Sequence, residues 1–247
     1  MDLTTILGIF GIFGLGAVVW VTGQVSSAFL NPHGLTLVLG GALVAILVNT
    51  PLPLFLEALR SLFVLFRRES AGDPREIVPV LVTASQNVHA RGINALAGMD
   101  PAVAGGFLAR AAQIAMEFKD PVYVNEVLGA ELARENEHHN EIVNVYRTLS
   151  VLFPMFGLIG TLFGIVHVLR NLGTDPGAIG PAMAVAITSA FYGISFANLF
   201  AVPVAGKLRI KFRQELFVKS VIAEAVVEML KGTAPVLVER RLESALL

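Results

Sequence analysis

The residues of this chain with chemistry to offer are prolines, hydroxyls and small residues set at helical spacing. Along 148–170, Pro154, Gly157, Thr161 and Gly164 recur every three or four positions and so share one face of a helix. Along 179–205, Ala182, Ala186, Ser189, Gly193 and Ala197 form a second small face, with Thr188, Tyr192 and Ser195 beside it. Threonine and serine hydroxyls can hold an ion or its water. Small residues let helix backbones approach closely, or leave a groove for a foreign helix, and the residues alone keep both readings open. Pro154 removes the hydrogen bond to the Ser150 carbonyl, and Pro203 the one to Leu199. In water each costs about 3 kcal/mol or more; in a membrane helix neighbouring groups satisfy the freed carbonyl. One such proline reads as a fixed kink, and two on adjacent helices as a moving hinge. Neither stretch contains an acidic residue. Helices that line an ion path without a carboxylate need the titrating group from another protein, because a charge within a bilayer is costly and usually functional.

Other reactive patterns are weaker. Glu135 and His139 stand four apart in the run Glu135, Glu137, His138, His139 and Glu141, a spacing that could grip a metal. With no neighbouring ligand set, a solvated charged helix is the expectation, and no metal is assigned. His167, near the end of the first proline-bearing stretch, could titrate near neutral pH. No nucleophile has a convincing base, and neither a Gly-x-Ser-x-Gly elbow nor a phosphate loop occurs, so no enzyme activity and no catalytic residue is expected. The net charge of −1 lacks a concentrated basic face and argues against nucleic acid. Without cysteine, disulfides and thiolate metal sites are excluded.

The elements that must position these residues are membrane helices. The chain is 55% hydrophobic and 15% charged, with a mean hydropathy of +0.71. Leu3 to about Gln24 is charge-free and long enough to span, carrying Gly8, Gly11, Gly14 and Gly16 as a packing face. After a turn at Asn31-Pro32, a second apolar run extends from Gly34 to about Phe55. Residues 57–147 hold most of the acids and recur apolar at helical intervals, as in Ile77, Leu81, Ala84 and Val88. Turns are expected at Glu69–Arg75 and at Asp100-Pro101, and a helix start at Asp120-Pro121. The third and fourth spans, joined by a turn over 171–178, precede an amphipathic helix to about Leu230 and a break at Gly232 and Pro235. The expected fold is all-α: a polytopic membrane protein with four transmembrane helices in two hairpins and a helical cytoplasmic domain. Its segments are 1–56 (helices 1 and 2), 57–147 (cytoplasmic domain), 148–205 (channel-lining helices 3 and 4) and 206–247 (cytoplasmic C-terminal helices). Lysine and arginine are absent before Arg60 and abundant in 57–147 and after Gly206, which places both termini in the cytoplasm.

With the residues in view, a family resemblance emerges. Phe156-Gly-Leu-Ile-Gly-Thr-Leu-Phe-Gly164, Ile179-Gly-Pro-Ala-Met-Ala-Val-Ala186, Phe191-Tyr-Gly193, Ala197-Asn198 and Pro203-Val-Ala-Gly-Lys-Leu208 together resemble the MotA/PomA ion-channel subunits of the bacterial flagellar stator, within the MotA/TolQ/ExbB proton channel family. Asn31-Pro32-His-Gly-Leu-Thr-Leu-Val-Leu-Gly-Gly41, Asn49-Thr-Pro-Leu52 and Leu230-Lys-Gly-Thr-Ala-Pro235 extend the likeness over nearly the whole chain.

That resemblance implies an inner-membrane homopentamer around two copies of a single-span MotB-like partner, whose membrane aspartate carries the ion, and a FliG-like rotor as the driven element. Pro154 and Pro203 match the family prolines tied to coupling. Thr161 and Ser189 match hydroxyls that line the ion path in sodium-driven members, and Tyr192 beside them is counted with that path. Ala190 stands where those members often carry a second threonine, which favours H+ over Na+; no other cofactor is implied. At the rotor-facing patch Arg91-Gly92 supplies the basic half, but Ala97 occupies the usual glutamate position and Asp100 is the nearest acid. The charge pairing there must differ. The competing expectation is an ExbB- or TolQ-type energy transducer that drives envelope transport or gliding, a group that usually has three spans.

Overall fold

Asn31 starts a long helix: its side-chain oxygen accepts from His33 N–H at 3.1 Å and Gly34 N–H at 3.2 Å, with Pro32 at the first helical position. The computed structural model describes residues 7, 8, 10, 11, 14, 17, 18, 21, 29–66, 74–100 and 102–245. Its described residues contain helix and no strand. The labelled helices are α1 (Pro32–Asn49), α2 (Leu52–Phe66), α3 (Pro74–Arg91), α4 (Phe107–Phe118), α5 (Pro121–Asn171), α6 (Ile179–Phe196), α7 (Val202–Leu230) and α8 (Pro235–Ala245). The described residues between 7 and 21 are also helical, but most of the expected Leu3–Gln24 span lies outside the described residues, as does most of the turn expected at Glu69–Arg75.

Three described helices are long and apolar enough to cross a membrane: Pro32–Asn49, one window within Pro121–Asn171 and one within Pro176–Leu230. Two expectations about them change. The second apolar run does not reach Phe55, because Thr50 is extended ahead of Pro51 and the helix stops at Asn49; proline excludes the helical region for the residue before it. The third span is not a separate helix from 148 but the later part of the 51-residue α5, since nothing between Glu141 and Thr148 breaks a helix.

The chain divides into two compact units, 1–67 with 141–208 and 68–140 with 209–247, and two of the three crossings fall inside α5 and α7. In the first unit α1 packs on α6, around Val38, Ala42, Phe153, Ala197 and Ala201. Between α6 and α7 the backbone widens into a π-helical turn at Ala197–Ala201, where Val202 N–H bonds back to the Ala197 carbonyl. Pro203 follows as the second residue of α7. A turn of wider radius, closed by i→i−5 bonds, is one way in which a helix accommodates a residue that cannot donate.

In the second unit, α3, α4, the early part of α5 and the later part of α7 share a core with Leu81, Leu96, Phe107, Leu108, Leu128 and Ile222, and α8 adds Val238 and Leu242. The expected turn at Asp120-Pro121 is there: Lys119 ends α4 at φ 54°, and Asp120 caps α5 by accepting from Val122 N–H at 2.9 Å. The C-terminal helices belong to this core, a pairing that chain order alone did not show.

Candidate functional site

Ser189 of α6 is fully buried, and α1 and α5 close on it. Its hydroxyl donates to the Val185 carbonyl at 2.7 Å, one turn back. A Cβ at Gly34 of α1 would stand 2.9 Å from the Ser189 Oγ, one at Gly160 of α5 would stand 2.5 Å from it, and one at Gly157 would meet the Ser189 carbonyl oxygen at 2.9 Å. Gly164 lies against the Ala182 carbonyl (2.8 Å from a Cβ) and Gly193 against the Phe153 carbonyl and the Gly157 Cα. The glycine face of α5 and the small face of α6 therefore interlock with each other.

At Gly157, Gly160, Gly164 and Gly193 the space beside the backbone is taken by the chain's own helices, because a residue without a side chain lets a neighbouring backbone approach.

Thr161 bridges the pair. Its Oγ1 shares its single proton between the Gly157 carbonyl at 3.1 Å and, across the pair, the Ala186 carbonyl at 3.0 Å, and the residue keeps part of its surface open. Thr188, buried beside Ser189, donates to the Ala184 carbonyl at 2.7 Å. Every one of these hydroxyls rests on a helix carbonyl, which spares the membrane interior an unpaired polar group. Pro154 lies half-buried within α5, one turn before Gly157, and the helix continues through it. Pro203 is exposed on α7 next to the π turn.

Tyr192 has a different neighbourhood. Its hydroxyl donates to the Phe29 carbonyl and receives Asn31 N–H at 3.0 Å, tying α6 to the segment that leads into α1. Near that segment an open pocket of about 650 Å³ lies between Pro32, His33, Phe163, His167, Pro181 and Val185. His167 and His33 thus share one cavity, which spacing could not show.

The second unit carries the residues expected to face a rotor. Arg91 is exposed at the C-terminal end of α3, where a cation complements the helix carbonyls. Gly92 at φ 80° turns the chain into a 3₁₀ segment, Ile93–Gly98, anchored by buried Leu96, with Ala97 exposed on it. Asp100 is exposed too and accepts Ala102 N–H at 2.8 Å.

The charged helix over 131–141 is not uniformly solvated. Glu135 and half-buried His139 turn inward, because buried Lys219 of α7 pairs with Glu135 and, at 2.9 Å, with Glu215. Burial by itself would lower the Lys219 pKa, but the bonds to Glu135 and Glu215 outweigh it and hold the ammonium above its ordinary value. The Lys219 ammonium thus occupies the carboxylate that a metal would have used. His139 stacks on Phe212 with centroids 3.9 Å apart, and its Nδ1 is buried without a partner. Desolvation lowers its pKa in spite of the neighbouring Glu215 and Glu135. Glu228, 5% exposed, binds Lys231 at 2.8 Å, Thr233 at 2.8 Å and Arg241 at 3.2 Å; the Lys231 bond above all holds its carboxyl below the usual range.

Apolar helices long enough to span a membrane, joined by glycine contacts, define an all-α polytopic membrane protein. A family model described as the MotA/TolQ/ExbB proton channel family matches residues 99–220. The chain is 33% identical to "Motility protein A" of Aquifex aeolicus over 97% of its own length and 94% of that protein. It is 28% identical to "Chemotaxis protein PomA" of Vibrio alginolyticus over 100% and 96%. Among solved structures, C. jejuni MotAB superposes with a TM-score of 0.87 at 22% identity, covering 99% of this chain and 96% of that one. The Bacillus subtilis flagellar MotAB stator complex superposes at 0.85 and 22%, covering 97% and 94%. The chain belongs to the MotA/TolQ/ExbB proton channel family, on its motility protein A and PomA branch.

Proposed function

We propose that this chain is the ion-channel subunit of a flagellar motor stator and that a MotB-like single-span partner completes its path. What carries the reading is the combination, in a member of this family, of an interlocked α5–α6 pair bearing Thr161 and Ser189 with the lack of any carboxylate along its apolar stretches, 148–170 and 179–205. The partner's membrane aspartate takes up the ion, H+ in preference to Na+, beside the partly open Thr161. Its change of charge alters its fit against these helices. Each elementary charge moved through 100 mV releases about 2.3 kcal/mol, enough to shift an equilibrium between two packings that differ by little.

In this reading five copies surround two partner chains in the inner membrane, with four spans per copy and both termini cytoplasmic. The second unit meets a FliG-like rotor through Arg91 and Asp100. Pro154 and Pro203, the latter beside the π turn at Ala197–Ala201, supply the hinges.

The test is a proton-flux assay in vesicles holding this chain with and without the partner encoded beside it. Flux is expected only with both chains, lost when the partner's aspartate becomes asparagine and reduced by Pro154→Ala or Thr161→Val. Conduction by this chain alone that is unaffected by those two replacements would sink the proposal. Three spans instead of four, found by tagging the N-terminus, would move the assignment to an ExbB- or TolQ-type transducer.

A further inference from the structure

His33 and His167 stand outside the hydroxyl path of α5 and α6, and they line the same open cavity of about 650 Å³. They come from different helices. His33 is the second residue of α1, and His167 lies four residues before α5 ends at Asn171. Phe163, Pro181 and Val185 make much of the remaining wall, and among the described lining residues the two imidazoles are the only titratable groups.

Glycine contacts fix the register of these helices. A Cβ at Gly41 of α1 would meet the Phe156 ring, and one at Gly160 of α5 would meet the Leu37 side chain at 2.9 Å. From Leu37 with Gly160 to Gly41 with Phe156 is four residues up α1 and four down α5, so α1 and the later part of α5 run antiparallel. The same step taken the other way sets His33 opposite Gly164 and His167 three residues beyond it, about 4.5 Å along the axis. Each Cα–Cβ bond leans toward the N-terminus of its own helix. On antiparallel helices the leans oppose: His33 leans toward the level of His167, and His167 toward the level of His33. Both backbones are held, because Gly34 lies against Ser189, and Gly164 against Ala182 and Ala186.

We propose that His33 and His167 form a two-imidazole site for a divalent transition-metal ion such as Zn2+, Ni2+ or Cu2+, with water completing the coordination. Imidazole nitrogen suits these ions, whereas Mg2+ and Ca2+ call for oxygen ligands, and no Asp or Glu is among the described lining residues. The ion ties the start of α1 to the end of α5. Structural zinc sites use four protein ligands, so an ion on two imidazoles exchanges with solution.

The experiment uses the full chain with its partner in lipid nanodiscs. Equilibrium dialysis with Zn2+ and electron paramagnetic resonance with Cu2+ are run on the native chain, on His33→Gln, on His167→Gln and on the double variant. The native chain should hold one Zn2+ per copy against excess Mg2+, and its Cu2+ spectrum should show two imidazole nitrogens. Either single replacement should weaken Zn2+ binding as much as the double does, by at least the roughly 10–100-fold that loss of an outer-shell partner costs. A chelate forfeits its advantage with either ligand. Binding unchanged in the double variant overturns the proposal, since the ion then sits elsewhere. Losses that add between the single variants overturn it too, because the imidazoles then bind separately. The native chain supplies a test that needs no variant to fold: a Cu2+ spectrum with one imidazole nitrogen, or no bound Zn2+, overturns the proposal by itself.

Discussion

Around Ser189 the helices of the first unit meet over Gly34, Gly157, Gly160 and Gly193, whereas the second unit is filled by Leu81, Leu96, Phe107, Leu108 and Ile222 and carries a buried Lys219 with two carboxylates. The two regions solve different problems. In lipid an exposed leucine loses nothing, so helices associate through close backbone contact and hydroxyl–carbonyl bonds. In water each large apolar side chain that is buried contributes about 1.5–3 kcal/mol, and a charge can be buried when its partners come with it. The first unit is accordingly sensitive to added atoms and the second to removed ones.

Five experiments sharpen or break that contrast. The largest effect is expected from Gly193→Leu: its new atoms would lie on the Phe153 carbonyl and the Gly157 Cα, costing about 3 kcal/mol or more, at the upper end of overpacking. The complex should fail to assemble on native gels, while Gly129→Leu, where a Cβ meets nothing within 4 Å, should not. Next comes Lys219→Ala, which strands Glu135 and Glu215. Because both carboxylates keep some water (23% and 32% exposed), about 2–3 kcal/mol is expected instead of the full cost of a deeply buried pair. Hydrogen exchange across α5 and α7 in the second unit would show it.

The third effect depends on pH. His139 has a folded-state pKa below 6.5, so the unfolded chain binds its proton first. The stability it contributes is present above about pH 6.5 and is lost as pH falls toward the folded value. His139→Phe keeps the stacking on Phe212 and should flatten unfolding curves of the second unit in that window. Glu228 is also depressed, so its contribution is lost only at lower pH, below its ordinary 4.5. Tyr192→Phe comes fourth: losing the bonds to Phe29 and Asn31 should cost about 1 kcal/mol, visible as faster exchange of the Asn31 amide. Last, Arg91→Ala and Asp100→Ala lie at the surface and should change stability by less than about 0.5 kcal/mol. Swimming speed then reads rotor contact without a folding artefact.

Much of this was legible because it is written in local chemistry. Asp120-Pro121 starts a helix as its residue types dictate, Asn31-Pro32, expected as a turn, caps one, the turn over 171–178 ends α5 at Asn171, and Gly232 and Pro235 separate α7 from α8. The faces of Pro154–Gly164 and Ala182–Ala197 were correct as faces. What they pack against is a tertiary fact, and spacing could not say that each is the other's partner. Thr50-Pro51 was a readable stop that continuous hydrophobicity overrode. Lys219 with Glu135 joins residues 84 apart, and the π turn changes a hydrogen-bond pattern without a marker in composition beyond the nearby Pro203.

The glycine contacts at 157 and 193 also have a genetic consequence. Glycine is the only residue without a Cβ, so any missense change at either codon, however conservative it looks on paper, adds a carbon where a backbone already lies. A saturation library of this gene should therefore tolerate exchanges among leucine, isoleucine and phenylalanine at the exposed Leu158 and Leu162, and return no functional neighbour at Gly193.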